Sequence, residues 1–301
     1  MSNMYNRWSS GQMVIYPGEG GPGDEWFVSS ADGTAGNSAK DWEHAEATID
    51  AAVGLAAVGD TIWVAPDHAE SITADSGIDI DVAGIAVRGV VRGRQMPTIT
   101  FTTSVAADCK LAAAGVTIQG LRFIGGYDAL TGCIEVSAAD CAIIDCEYRD
   151  STGQAVDVII TTAAAERLLI DGFRSIGALG TGANSAIAIV GAIDGLIVRN
   201  CYLVGDFAVT AIDFRSVAST NVWIHDVCIW NDHATGTGIE DTITASTGII
   251  GPNIQIVLET DGANVTEAVT GATFHLIDPV YIVNAVDQKA LLINWTPTGD
   301  A

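Results

Sequence analysis

The chain has 301 residues, of which 49% are hydrophobic and 17% charged, with 33 glycines and 7 prolines, a composition that folds rather than staying disordered. Its 13 basic residues face 37 acidic ones, for a formal net charge of −24, which repels phosphate backbones and anionic membranes. Nucleic acid and membrane are therefore excluded as expected partners, although the acidity suits a particle surface, a high-salt habitat or plain solubility equally well.

The first 26 residues read as an arm. "YPGEGGPGDEW" is turn-rich and carries no repeat, and Tyr5, Trp8, Ile15 and Tyr16 are its candidate attachment residues. No apolar core of signal-peptide length lies in this segment. No run of about 18 apolar residues occurs in the chain either, so no transmembrane span is expected. Residues 27–59 predict a capping helix. Ser38 is a candidate N-cap with Asp41 three residues on, and Trp42, Ala45, Ile49, Ala52, Val53 and Ala56 share a face before Gly59 ends the helix. "DTIWVAP" then predicts the first strand.

Residues 60–250 repeat one phrase. Its centres are Gly120, Asp145, Gly172, Asn200 and Asp226, at intervals of 25, 27, 28 and 26 residues, with an earlier copy on Gly89. Apolar residues alternate on both sides of each centre, as in Val116, Ile118, Leu121 and Phe123, and a period of two means strand. Gly, Asn and Asp best tolerate the left-handed backbone of a sharp corner. A further strand precedes each phrase: "CIEVS", "DVIIT", "AIAIV", "AIDFR". Three strands per turn of about 26 residues predict an all-β chain, a right-handed parallel β-helix solenoid with an N-terminal capping α-helix. Beyond residue 251 the phrase fades. "IQIVLE", "TFHLI", "VYIVN" and "ALLINW" predict closing coils or a β cap over 251–301.

Stacking assigns roles to columns of residues. Leu121, Cys146, Phe173, Cys201 and Val227 form an inward column. The two cysteines in it stand two coils apart, too far for a disulfide. Arg122, Glu147 and Arg174 form an outward charge ladder, and Asp171 neighbours Arg199 in another. A third outward column, Thr117, Ala142, Leu169, Ile197 and Trp223, grows apolar along the solenoid. Something should cover it: a loop of the same chain, or a second subunit meeting Leu169, Ile197 and Trp223.

The stretch "DGTAGNSAKDWEHAEATIDAAVGLAAVGDTIWVAPDHAE" resembles the entry segment of pectin-lyase-like right-handed β-helix proteins, where a helix feeding "GDTIxVAP" precedes the coils. The resemblance spans roughly residues 27–232 and speaks for fold far more than for activity. The layout of arm, lid and coils is similar to bacteriophage structural proteins. That likeness implies a virion protein made in the host cytoplasm, a homotrimer touching capsid or tail proteins.

Catalytic signals are sparse. Lyases of the resembled family pair acidic calcium ligands with a basic proton acceptor, but the three lysines Lys40, Lys110 and Lys289 lie outside the corners. The six cysteines show neither CxxC pairs nor zinc spacing, and no HExxH, GxxxxGK[ST] or GxSxG occurs. No catalytic residue, metal or cofactor is assigned. The alternative to a virion scaffold is a tailspike-like protein that binds or hydrolyses a host surface glycan. Its candidate contacts are Trp223, His225, Trp230, Asp232 and Asp213, since tryptophan beside carboxylates can stack on and hydrogen-bond a sugar.

Overall fold

The computed structural model describes residues 23–151, 155–178, 182–243, 245–258, 269–270, 273–277, 280–284 and 289–292. These form a parallel β-helix of three sheets with ten, ten and eight strands. Every strand pair is parallel except the last, where Val280–Asn284 and Lys289–Leu292 run antiparallel. The first sheet runs from Glu25–Val28 to Thr273–Leu276, the second from Ala69–Ile72 to Lys289–Leu292, and the third from Ile78–Ile80 to Val269–Thr270. The arm residues Tyr5, Trp8, Ile15 and Tyr16 lie outside the described residues.

The core is a set of ladders, one residue per coil. On the first sheet Ile62, Val87, Ile118, Ile143, Ile170, Val198, Ile224 and Ile250 follow one another in register, all buried. β-branched side chains suit this position because their restricted rotamers pack well on a pleated surface. Truncating one of these isoleucines to alanine is worth about 2–5 kcal/mol. The predicted inward column of Leu121, Cys146, Phe173, Cys201 and Val227 is buried as expected. Burial pushes the Cys146 and Cys201 thiols up to about 12, so both act as small hydrophobes.

The corners hold too. Gly120, Asp145, Gly172, Asn200 and Asp226 all have φ between 50° and 70°, and Asn253 at 59° adds another. Gly89 is the exception. Its φ is not positive; instead a Cβ there would fall 2.2 Å from the Gly120 carbonyl oxygen, so glycine is required by a close approach of two neighbouring coils. A second left-handed ladder, invisible to the repeat alignment, precedes the first sheet at Gly59, Gly84, Gly115, Asp140, Arg167, Gly195 and Asn221. From Gly59 to Gly195, the N–H of each donates to a carbonyl of the next coil.

The N-terminal lid differs from expectation. The helix is Ile49–Val53 alone, capped by the Thr48 hydroxyl rather than Ser38 and closed at Gly54 rather than Gly59. Trp42 lies in a separate 3₁₀ turn, Trp42–His44, exposed and edge-on to Phe27. The cause is local. Glu46 bridges to Val28, and its carboxylate accepts from the Gly36 and Ala47 N–H groups, which holds residues 45–46 extended. Ile49, Ala52 and Val53 still seal the end of the core, and the Ile49 N–H donates to the buried Glu70 carboxylate. An unforeseen strand, Glu25–Val28, pairs with Thr61–Val64, so "DTIWVAP" is the second described strand and the assigned arm overlaps the first.

One buried acid near this end carries a pH prediction. Burial pushes the Asp108 carboxyl up to about 6; the Ser76 N–H opposes the shift, and Asp75 and Glu135 reinforce it. A raised folded pKa means the folded state holds its proton longer than the unfolded chain. The resulting cost is absent below the unfolded value of 3.8, grows as pH rises to about 6, and is complete above it. Asp108→Asn is therefore expected to stabilise the protein at pH 7 by about 2–3 kcal/mol, with no gain near pH 3.5. Urea midpoints at both pH values check it; an equal gain at both would place the effect elsewhere.

Candidate functional site

The outward face of the first sheet is built as predicted. Thr117, Ala142, Leu169, Ile197 and Trp223 stand in register, and Ile249 continues the column. Coils stack about 4.8 Å apart, so the four apolar residues from Leu169 to Ile249 make a continuous stripe. Trp223 and Ile249 are 43% and 36% exposed, so no described segment of the chain covers this end of the stripe. Trp223 is held in place: its Nε1 donates to the Gly251 carbonyl at 3.1 Å, and its ring lies 4.3 Å from that of His225. The His225 Nδ1 in turn sits 2.6 Å from the Asp226 carboxylate. Beside the indole lies a hollow of ≈ 400 Å³ lined by Asn221, Thr247, Gly248, Ile249 and His275.

The remaining glycan candidates do not converge with Trp223. Trp230 lies on the second sheet in Val227–Asn231, with Asp232 directly after it. Asp213 lies on the third sheet in Thr210–Phe214. Its carboxylate is buried beneath Arg215, whose Nε donates to Asp213 at 2.6 Å while Nη1 and Nη2 reach both oxygens of Asp157 at 3.0 and 2.8 Å. Nη2 also meets the Ser185 hydroxyl. Burial raises the pKa of both aspartates despite this cation, and raises that of the neighbouring Glu240. The Asp213 and Asp157 side chains are 2% and 3% exposed, so this group ties three coils together and offers no open carboxylate to a large substrate. Among the described residues no group of three metal-ligating side chains is assembled.

The second sheet holds a feature that the repeat alignment passed over. Four residues beyond each corner stands a second outward column: Ile124, Arg149, Ile176, Val204, Trp230 and Val257. It is apolar except at Arg149, and Trp230 is 40% exposed. Extending the aligned phrase by one residue would have found it. The expected charge ladder is present as a hub. Glu147 pairs with Arg122 at 2.7 Å, with Arg174 at 3.6 Å and also with Arg149 at 2.6 Å. Burial would raise the Glu147 pKa, but Arg149 and Arg122 outweigh it and hold the carboxyl below its usual range. Three guanidiniums around one carboxylate leave a cationic island on a strongly acidic molecule. Asp171 pairs with Arg199 at 2.8 Å, as expected.

No family model matches the chain, and no curated protein matches it. A solved rhamnogalacturonan lyase is similar in structure, with a TM-score of 0.52 and 11% sequence identity over 78% of this chain and 74% of that one. At that identity the likeness shows the fold alone, a parallel β-helix.

Proposed function

We propose that this chain is a non-catalytic structural β-helix that works as a homotrimer at the surface of a virion, on capsid or tail. The observation that carries the reading is the apolar stripe Leu169, Ile197, Trp223 and Ile249, whose first two residues are half-buried and whose Trp223 and Ile249 end is exposed, a contiguous apolar surface that a partner would bury. A closed ring of identical copies satisfies such a stripe without leaving an open end. The net charge of −24 keeps the rest of the particle surface from sticking to nucleic acid or other anions. The segment before the first strand serves as the attachment arm, with Tyr5, Trp8, Ile15 and Tyr16 as its apolar anchors. The test is the solution mass of the full-length protein by light scattering at low and high salt. Three times the chain mass in both supports the reading, because apolar burial resists salt; a monomer in both overturns it.

A second reading rests on the hollow beside Trp223, where an indole flanked by Asn221, Thr247 and His275 suits a sugar ring of a host surface glycan. The two readings exclude each other at this spot, since a neighbouring copy would fill the hollow. A monomer that binds a neutral glycan, with loss on Trp223→Ala, would favour the second.

A further inference from the structure

The crowding of guanidiniums on the second sheet is more than the fold requires. Glu147 is buried, and Arg122, the least exposed of its three partners, satisfies it at 2.7 Å. Arg149 uses the same oxygen at 2.6 Å and Arg174 stands 3.6 Å from the other, both about half exposed. One carboxylate gains little from a second and third cation, while three like charges so close repel one another. The carboxylates of adjoining positions do not relieve them. Asp145 is held by Arg92, Asp171 by Arg199, and Asp150 faces the Tyr148 hydroxyl and the Ala178 N–H. The loop that carries the exposed Arg94 joins the same patch, because Arg122 also donates to the Gly93 carbonyl at 2.8 Å. On a chain of net charge −24, such a local surplus of cations points to an anionic partner.

The surroundings define that partner. Arg149 lies two residues beyond Glu147 on its strand, and Arg174 lies beside Glu147 in the next coil. Their Cα atoms are therefore roughly 8 Å apart on the diagonal. Each guanidinium is a planar fork of five donors, which suits a carboxylate. Ile176 stands directly beside Arg149, Tyr202 directly beside Arg174, and Val204 beside Ile176. The Tyr202 ring is exposed and lies 5.9 Å from the Arg174 guanidinium. Cations thus border an apolar margin within one coil spacing. A highly charged polymer matches the cations but leaves the margin in water, and the rest of the acidic surface repels it. An extended peptide matches both. Its side chains at every second position share a face, so carboxylates can meet the arginines while apolar groups meet Ile176, Tyr202 and Val204.

We propose that this part of the second sheet binds a short acidic segment of a partner protein, in which carboxylates and apolar residues alternate along one face. Within the virion reading it is a second contact with capsid or tail, separate from the arm, and it does not depend on the trimer.

The test uses the full-length protein and fluorescence anisotropy of labelled synthetic peptides. One short peptide repeats Glu-Ser-Leu-Ser; a second, of equal length and charge, repeats Glu-Ser-Ser-Ser. The native protein is expected to bind the first, and the second several-fold more weakly. Arg149→Gln with Arg174→Gln should weaken the first by at least about tenfold, the loss of two charge-assisted contacts. That variant leaves Arg122 on Glu147, and circular dichroism checks its strands. Tyr202→Ser, at an exposed position, should weaken the first peptide several-fold and leave the second unchanged. No saturable binding of the first peptide, or equal binding by the native and double-variant proteins, would overturn the site. Equal binding of the two peptides would make it a bare anion site and overturn the peptide assignment, as would displacement of the peptide by a smaller charge equivalent of dextran sulfate. Light scattering of the same samples reads the trimer separately, so a monomer that binds the first peptide upholds this site and sinks only the trimer.

Discussion

Trp223→Asp is expected to dissociate the proposed trimer into folded monomers. Trp223 is the largest exposed side chain of the stripe, and in the ring it would be dry and packed on its neighbour. An unpartnered carboxylate at the centre of that contact costs about 3–5 kcal/mol, which raises the dissociation constant by roughly two to four orders of magnitude per interface. The monomer loses little, because Trp223 faces outward and its fixed contacts are the Gly251 carbonyl and the His225 ring. Ile197→Asp, one coil away in the same column, should act alike without touching either contact. Sedimentation or light scattering reads the mass, and circular dichroism reads the strands. A trimer that persists in both variants would mean that the stripe is not the interface. Loss of strand signal together with mass would mean that assembly and folding are one process.

The solenoid was legible because a β-helix writes its geometry into the chain once per coil. Period-two alternation around Gly120, Asp145, Gly172, Asn200 and Asp226 gave strand, corner and register together, and with register came the inward cysteines, the Glu147 ladder and the stripe. What lacked a period was lost. Trp42 and Ala45 have helical spacing with Ile49, but a single bridge from Glu46 to Val28 outweighs the weak propensity of a short helix. The second left-handed ladder mixes Gly, Asp, Arg and Asn, and Arg167 there looks like any surface residue until its φ of 55° is known. The glycan candidates are spread over three sheets for a topological reason. Trp223, Trp230 and Asp213 are near in sequence, yet successive strands of one coil belong to different sheets, so nearness along the chain separates residues onto different faces. Fold likeness was readable from the entry segment; activity was not, because the same coils carry many unrelated sites.

Arg215→Met should be strongly destabilising. Its guanidinium is the cation hydrogen-bonded to both Asp157 and Asp213, two carboxylates that lie out of water. Removing one partner of a buried ionic group leaves charge without compensation, at a cost of about 3–5 kcal/mol, whereas removing the whole group can be close to neutral. The variant is therefore expected to lose that amount at pH 7.5, seen as a lower urea midpoint with an unchanged slope. The pH dependence has a fixed sign. Both aspartates have folded pKa values above 3.8 even beside Arg215, and without the guanidinium burial raises them further. The folded variant then takes up protons that the unfolded chain does not hold, so its stability climbs as pH falls from 7.5 toward 5, and the gap to the native protein narrows. Adding Asp157→Asn and Asp213→Asn to Arg215→Met should restore most of the loss at pH 7.5 and erase this pH dependence, because amides carry no charge to strand. A triple variant as unstable as the single one would assign the cost to the lost packing of the arginine stem, and the charge account of this cluster would be wrong.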